Sequence, residues 1–135
     1  VRRILAAAAA AMTAALVLAG TASADVASPP YVASAEWAKW GDLSTLRVYP
    51  TESARVAAAQ IGTTGQADEA WTEVLALSPD ADIPGMREQF MCHWQYAELA
   101  EPGKTSWNLE PWRPEVSPDQ MVAAHCNPGG TEEPF

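Results

Sequence analysis

The alternation of apolar and polar positions divides the chain into short elements. Residues 35–40 and 44–49 flank Gly41-Asp42, and Leu46 and Val48 alternate with Arg47 and Tyr49. This predicts a β-hairpin turned at a glycine and ended by Pro50. Thr51 stands at a capping position, and a short Ala-rich helix is predicted over 52–60, stopped by Gly62. Ala67, Ala70, Trp71, Val74 and Leu75 recur at helical spacing, with Asp68, Glu69 and Glu73 mostly on the other side. They predict an amphipathic helix, its acids placed toward the end where the dipole favours them. Pro79 stops it, and Pro84-Gly85 marks a further turn.

Phe90, Cys92, Trp94 and Tyr96 alternate with Met91, His93 and Gln95, a period of two that predicts a strand. A second strand is predicted over 105–110, with Trp107 and Leu109 on one face and Ser106, Asn108 and Glu110 on the other. Ser117-Pro118-Asp119-Gln120 has the form of a helix start, with Ser as cap, Pro at the first position and Gln able to reach back. A short helix then runs to about residue 125. The expected class is α+β: a small antiparallel sheet of about four strands, two or three short helices on one face, and one disulfide.

The chain's beginning changes the picture of where this fold works. Arg2 and Arg3 precede an apolar run over 4–19, and Ala22-Ser23-Ala24 offers small residues before Asp25. Residues 1–24 therefore read as a cleavable secretory signal peptide, and the product is expected outside the cell or at its envelope. The apolar run is a little short for a membrane anchor. No other stretch is apolar for long enough to span a bilayer, so no stable membrane insertion is expected after cleavage. Residues 25–34, with Pro29-Pro30, read as a flexible arm, 35–127 as a single globular domain and 128–135 as a disordered tail. The formal net charge of the whole chain is −9. Without Arg2 and Arg3 of the leader, six basic side chains face seventeen acidic ones, a net charge of −11. That balance excludes nucleic acid as a partner and opposes docking on anionic lipid.

An exported chain with two cysteines implies a disulfide between Cys92 and Cys126, which constrains the unfolded chain by about 3–4 kcal/mol. Cys92-His93 and His125-Cys126 also form a two-Cys, two-His set of zinc type. Neighbours on a strand point to opposite faces, and paired zinc ligands are usually spaced by at least two residues, so no metal is expected. No phosphate-cradling glycine loop is present, and no cofactor is expected.

His93, on the strand face opposite Phe90, Trp94 and Tyr96, is a candidate general acid or base, or a histidine packed under a loop. Trp107-Asn108-Leu109-Glu110-Pro111-Trp112-Arg113-Pro114 is the chemically densest segment. Its prolines stiffen the backbone around Glu110, Trp112 and Arg113. Glu110 and Arg113 can pair, or Arg113 can stack on Trp112, as a stabilising clamp or as a preorganised pair facing a ligand. The six Trp serve as core bulk or, where exposed, as flat surfaces for a sugar or a protein.

The run Met86-Arg87-Glu88-Gln89-Phe90-Met91-Cys92-His93-Trp94, then Ser106-Trp107-Asn108-Leu109-Glu110-Pro111-Trp112-Arg113-Pro114, then Cys126-Asn127-Pro128, resembles the small exported actinobacterial and bacillar proteins grouped as domain of unknown function 2599. A mycobacterial secreted member is similar also in Glu36-Trp37-Ala38 and Leu46-Arg47-Val48-Tyr49-Pro50. The resemblance covers about residues 35–130. It implies export and a paired-cysteine domain, and brings no established activity, substrate or catalytic residue.

Two functional classes follow. The first is a non-enzymatic module of the cell envelope or extracellular space, binding a cell-wall glycan or an extracellular protein. Its candidate contact residues are Trp107, Asn108, Trp112 and Arg113, with the hairpin Trp residues. The second is a small secreted hydrolase or antibacterial effector. There His93 is acid or base, Glu110 its partner on a neighbouring strand, and Arg113 the stabiliser of developing negative charge.

Overall fold

A computed structural model describes residues 27–130. The expected signal peptide, the start of the arm and residues 131–135 lie outside the described residues. The elements run β1 (Val32–Trp40), β2 (Leu43–Pro50), α1 (Glu52–Ala58), α2 (Thr64–Leu77), a single 3-10 turn (Pro79–Ala81), α3 (Met86–Ala100), β3 (Trp107–Leu109) and α4 (Pro118–Ala123). The class is α+β, with a three-stranded antiparallel sheet in the order β1-β2-β3.

Local chemistry explains most of these elements. The hairpin closes with Trp40 opposite Leu43, and Gly41 takes the positive φ of 58° that the tight turn requires. Thr51 caps α1 by accepting from the backbone N–H of Ala54. Ser117 and Gln120 form a reciprocal capping box on α4, with Pro118 at its first position. In α2 the predicted stripe of Ala67, Ala70, Trp71 and Val74 is buried.

Pairing of Leu46 with Leu109 and of Val48 with Trp107 puts these four on one sheet face, which is buried. Side chains from α2 and α3 cover that face. Phe90 sits between Trp71, 5.6 Å away by ring centroids, and Trp107, 6.0 Å away. Trp94 meets Trp107 at 6.1 Å and Tyr31 edge-on at 5.6 Å. Such tilted and edge-on pairs each contribute about 0.5–1.5 kcal/mol beyond their area.

The strand expected through Phe90, Cys92, Trp94 and Tyr96 does not form. Those residues lie in α3, which is why the sheet has three strands rather than four. The physical reason is a second periodicity in the same segment, which shares Phe90 and Trp94 with the first. Met86, Gln89, Phe90, His93, Trp94 and Ala97 are buried at helical spacing, and Arg87, Glu88, Glu98 and Leu99 are good helix formers. The neighbouring-strand relation between His93 and Glu110 falls with that strand.

The stretch read as an arm is ordered near the domain. β1 begins at Val32, and Tyr31 before it is buried. The Glu73 carboxylate accepts from the backbone N–H of Tyr31 at 2.7 Å and of Val32 at 2.8 Å. Burial pushes the Tyr31 phenol above its ordinary range, with Glu69 and Glu73 adding to the effect.

Candidate functional site

Two regions hold the side chains with chemical potential. The first is the Trp-Asn-Leu-Glu-Pro-Trp-Arg-Pro segment. Trp107, Asn108 and Leu109 are all buried, although they alternate between the two sheet faces. Ser106 Oγ donates to Asn108 Oδ1 at 2.7 Å. Glu110 is only 1% exposed and Arg113 only 3%. Arg113 Nε donates to Glu110 Oε2 at 2.8 Å, and Thr45 Oγ1 lies 3.5 Å from Glu110 Oε1. The guanidinium also lies 4.4 Å from the Trp112 ring centroid.

Arg113 ties down more than its carboxylate. Its Nη1 donates to the carbonyls of Pro128 at 3.2 Å and Gly130 at 3.1 Å. Residues 128–130, expected as the start of a disordered tail, are thus held to the body. Gly129 fits this closure for two reasons. Its φ is +85°, and a Cβ there would lie 2.5 Å from Pro114 Cδ.

Gln89 completes the region and was missed by the sequence reading. Its Nε2 donates to Glu110 O at 2.9 Å, and Glu110 N donates to Gln89 Oε1 at 2.9 Å. The side-chain amide thereby continues the backbone pairing just beyond β3. Its only signal was helical periodicity, hidden while the segment read as a strand.

Of the candidate contact residues, Trp107, Asn108 and Arg113 are buried, and Trp112 is half-buried with its Nε1 buried and without a partner among the described residues. The structure pairs Glu110 with Arg113. His93 is buried on α3, with Nδ1 2.8 Å from the Gln89 carbonyl. A carbonyl only accepts, so Nδ1 carries the proton and Nε2 is the acceptor in the neutral ring.

The second region is a cleft of about 510 Å³ between α3 and the residues that follow α4. The Cys92–Cys126 disulfide, with a Cα–Cα distance of 5.6 Å, joins its two walls. His93 and Tyr96 line one wall, His125 and Asn127 the other, and Lys104 lies 3.8 Å from Glu101 at its border. His125 and Cys126 both take positive φ, 51° and 66°, a conformation that side-chain-bearing residues rarely adopt. The expectation that Cys92 and His93 face opposite ways fails on a helix, and both border this cleft. Both cysteine sulfurs are consumed by the disulfide. Among the described residues no group of three or more His, Cys, Asp or Glu is arranged to hold a metal.

Two further clefts adjoin along α3, of about 340 Å³ toward the start of α4 and about 500 Å³ toward the α1–α2 connection. Tyr96, 39% exposed, borders all three. Asn127 Nδ2 donates to the His125 carbonyl at 3.1 Å, which orients the amide. Its Oδ1 is buried with no partner among the described residues. Trp37 and Trp40 are exposed on the hairpin, and Trp37 Nε1 donates to Asp80 at 3.1 Å.

These features define a small disulfide-linked α+β domain with a sealed polar clamp and an open helical face. The chain matches, over residues 32–129, the family described as proteins of unknown function, DUF2599, and it belongs to that family. It is 59% identical over 108 residues to uncharacterized proteins of Mycobacterium tuberculosis and Mycobacterium bovis, covering 80% of this chain and 72% of theirs. It is 46% identical over 103 residues to an uncharacterized protein of Mycobacterium leprae, covering 76% of this chain and 83% of that one. No solved structure matches the chain.

Proposed function

We propose that this protein is an exported, non-enzymatic binding module of the cell envelope or extracellular space, with the outer face of α3 as its contact surface. The observation that carries this reading is the division of polar groups. The acid and the cation that a hydrolase would need are paired with each other and buried, while three clefts open along α3 around one exposed tyrosine. Clefts of a few hundred Å³ are the usual size of small-ligand sites. The hairpin Trp residues are a weaker surface. Trp37 and Trp40 stand three residues apart on a strand, so they point to opposite faces. The leader-like sequence and acidic composition support an extracellular setting.

Co-sedimentation of the purified protein with bacterial cell-envelope fractions tests the reading. Binding is expected to be lost in Tyr96→Leu and kept in Trp40→Ala. Unchanged sedimentation of Tyr96→Leu, or loss confined to Trp40→Ala, would move the contact surface to the hairpin.

A further inference from the structure

We infer that the groove between α3 and α4 docks a short basic amphipathic peptide segment, laid along α3 with its apolar side inward. This rests on the reading of the α3 face as the contact surface and names the partner's chemistry.

Helical spacing builds the groove. Glu88, Cys92, Tyr96 and Ala100 follow one another at i+4 along one side of α3. The cleft of about 340 Å³ takes in the first three, and the cleft of about 510 Å³ the last three. Val122 of α4 also borders both, so the two clefts join at Tyr96 and Val122. At the helical rise the row from Glu88 to Ala100 is about 18 Å long, the length of about three turns of a docked helix.

Between its ends the groove is mostly apolar, with Met91, Ala97 and Ala100 from α3 facing Val116 and Val122. Tyr96 is 39% exposed and Val122 43% exposed, an aromatic and a branched side chain that the apolar side of a partner would cover. A peptide helix lying in such a groove presents that side at i, i+3, i+4 and i+7.

Charge selects the other side of the partner. Both Lys and Arg side chains at the groove are engaged, Arg87 with Asp68 and Lys104 with Glu101. Glu88 and Asp119, exposed at one end, have no ion pair among the described residues. α3 ends at the far cleft, where the negative end of its dipole also favours positive charge. The whole chain carries a net charge of −9. An acidic peptide is repelled, whereas basic side chains flanking an apolar stripe meet carboxylates at the rim.

A second copy of this protein does not supply such an element. None of the four described helices carries more Lys and Arg than Asp and Glu, and two acidic copies repel. An anionic bilayer fails on charge, and its flat surface does not fill a groove.

The test uses a 14-residue peptide of Leu and Lys at helical spacing, titrated into the purified protein and followed by amide NMR shifts; the length is set by the groove at about 1.5 Å per residue. A shuffled peptide of the same composition and a Leu/Glu peptide of the same spacing are the controls. Saturable shifts are expected at Glu88, Met91, Tyr96, Ala100, Asp119 and Val122, with both controls at least about tenfold weaker. Tyr96→Ser is expected to weaken binding about tenfold by removing apolar contact. Glu88→Gln with Asp119→Asn is expected to weaken it about fivefold and to flatten its salt dependence. All three positions are exposed, and amide spectra of the free variants verify the fold.

No saturable shift with the Leu/Lys peptide would overturn the inference. So would equal binding of the shuffled peptide with shifts spread to Glu36 and Glu69, which is attraction by net charge alone. Equal binding of the Leu/Glu peptide would remove the basic partner, and shifts at Tyr96 and Val122 on dilution of the protein alone would give the groove to a second copy. After any of these failures the α3 face stands as a contact surface if Tyr96→Leu loses envelope sedimentation. Peptide binding undiminished in both groove variants, with sedimentation of Tyr96→Leu unchanged, would overturn the inference and the surface together.

Discussion

The segment around Glu110 and the cleft around Tyr96 are built from similar materials. Each has aromatic rings, a carboxylate, a cation and a side-chain amide, and each is bordered by the chain after α4. They differ in how the polar groups are spent. Around Glu110 the acid meets its cation, the cation meets two carbonyls, and Gln89 meets both backbone groups of Glu110. Around Tyr96 the walls meet at the disulfide and otherwise line an open cleft, and the Asn127 side-chain carbonyl is left unmet among the described residues. Conspicuous chemistry in a sequence is therefore a poor guide to a surface for ligands. In the segment around Glu110 the charged groups and the Gln89 amide satisfy one another, while the buried Nε1 of Trp107 and of Trp112 is left without a partner among the described residues.

Substitutions separate the two regions by what they change. The largest effect is expected at the buried ion pair. Removing either charge leaves the other buried and uncompensated, a cost of about 3–5 kcal/mol. A double-mutant cycle on Glu110→Leu and Arg113→Met should show the pair recovering much of the loss of either single change. Independent, additive losses would mean that the pair does not act as a unit.

Opening the disulfide comes next. Its cysteines lie 34 residues apart, and with Met121 and half-buried Val116 they form a small apolar cluster separate from the main core. Cys92→Ala with Cys126→Ala is expected to lower stability by about 3–4 kcal/mol in chemical denaturation. It should also weaken any binding at the cleft, because the disulfide joins its walls. Full binding affinity in the double variant would show that the cleft does not need this link.

Gln89→Leu should cost about 1–3 kcal/mol, since the N–H and carbonyl of Glu110 would lose their partner in the interior. Faster hydrogen exchange at the Glu110 amide is the specific signature. An unchanged exchange rate would remove Gln89 from the clamp. The smallest stability effect is expected at Tyr96. It is exposed, so Tyr96→Leu should fall within about 0.5 kcal/mol of the parent while altering binding.

Much of this fold was legible because it is written locally. The turn at Gly41, the caps at Thr51 and Ser117, and the stripe from Ala67 to Val74 each depend on a few adjacent residues. The disulfide followed from there being two cysteines. α3 was misread because Phe90 and Trp94 belong to two periods at once, alternating with Cys92 and Tyr96 and lying on the helical stripe with Met86, His93 and Ala97. The β-favouring aromatics drew attention to the shorter one. Burial of Met86, Phe90, His93 and Ala97 settled the helical period through packing that no local rule contains.

The candidate sites were legible in the same uneven way. The spacing of Glu110 and Arg113 announced a possible pair, and the pair exists. Its burial depends on Thr45, Gln89 and the carbonyls of Pro128 and Gly130, which come from three separate parts of the chain. Tyr96 and Asn127 reach one cleft only once α3 is a helix and Cys92 is bonded to Cys126.

The most direct test of this division is the unfolding free energy of Arg113→Ala and Tyr96→Leu, measured by urea denaturation in one buffer. The structure predicts a loss of about 3–5 kcal/mol for Arg113→Ala and a change within about 0.5 kcal/mol for Tyr96→Leu. An Arg113→Ala protein as stable as the parent would contradict it. The segment would then be open to ligands, and the contact surface would belong there.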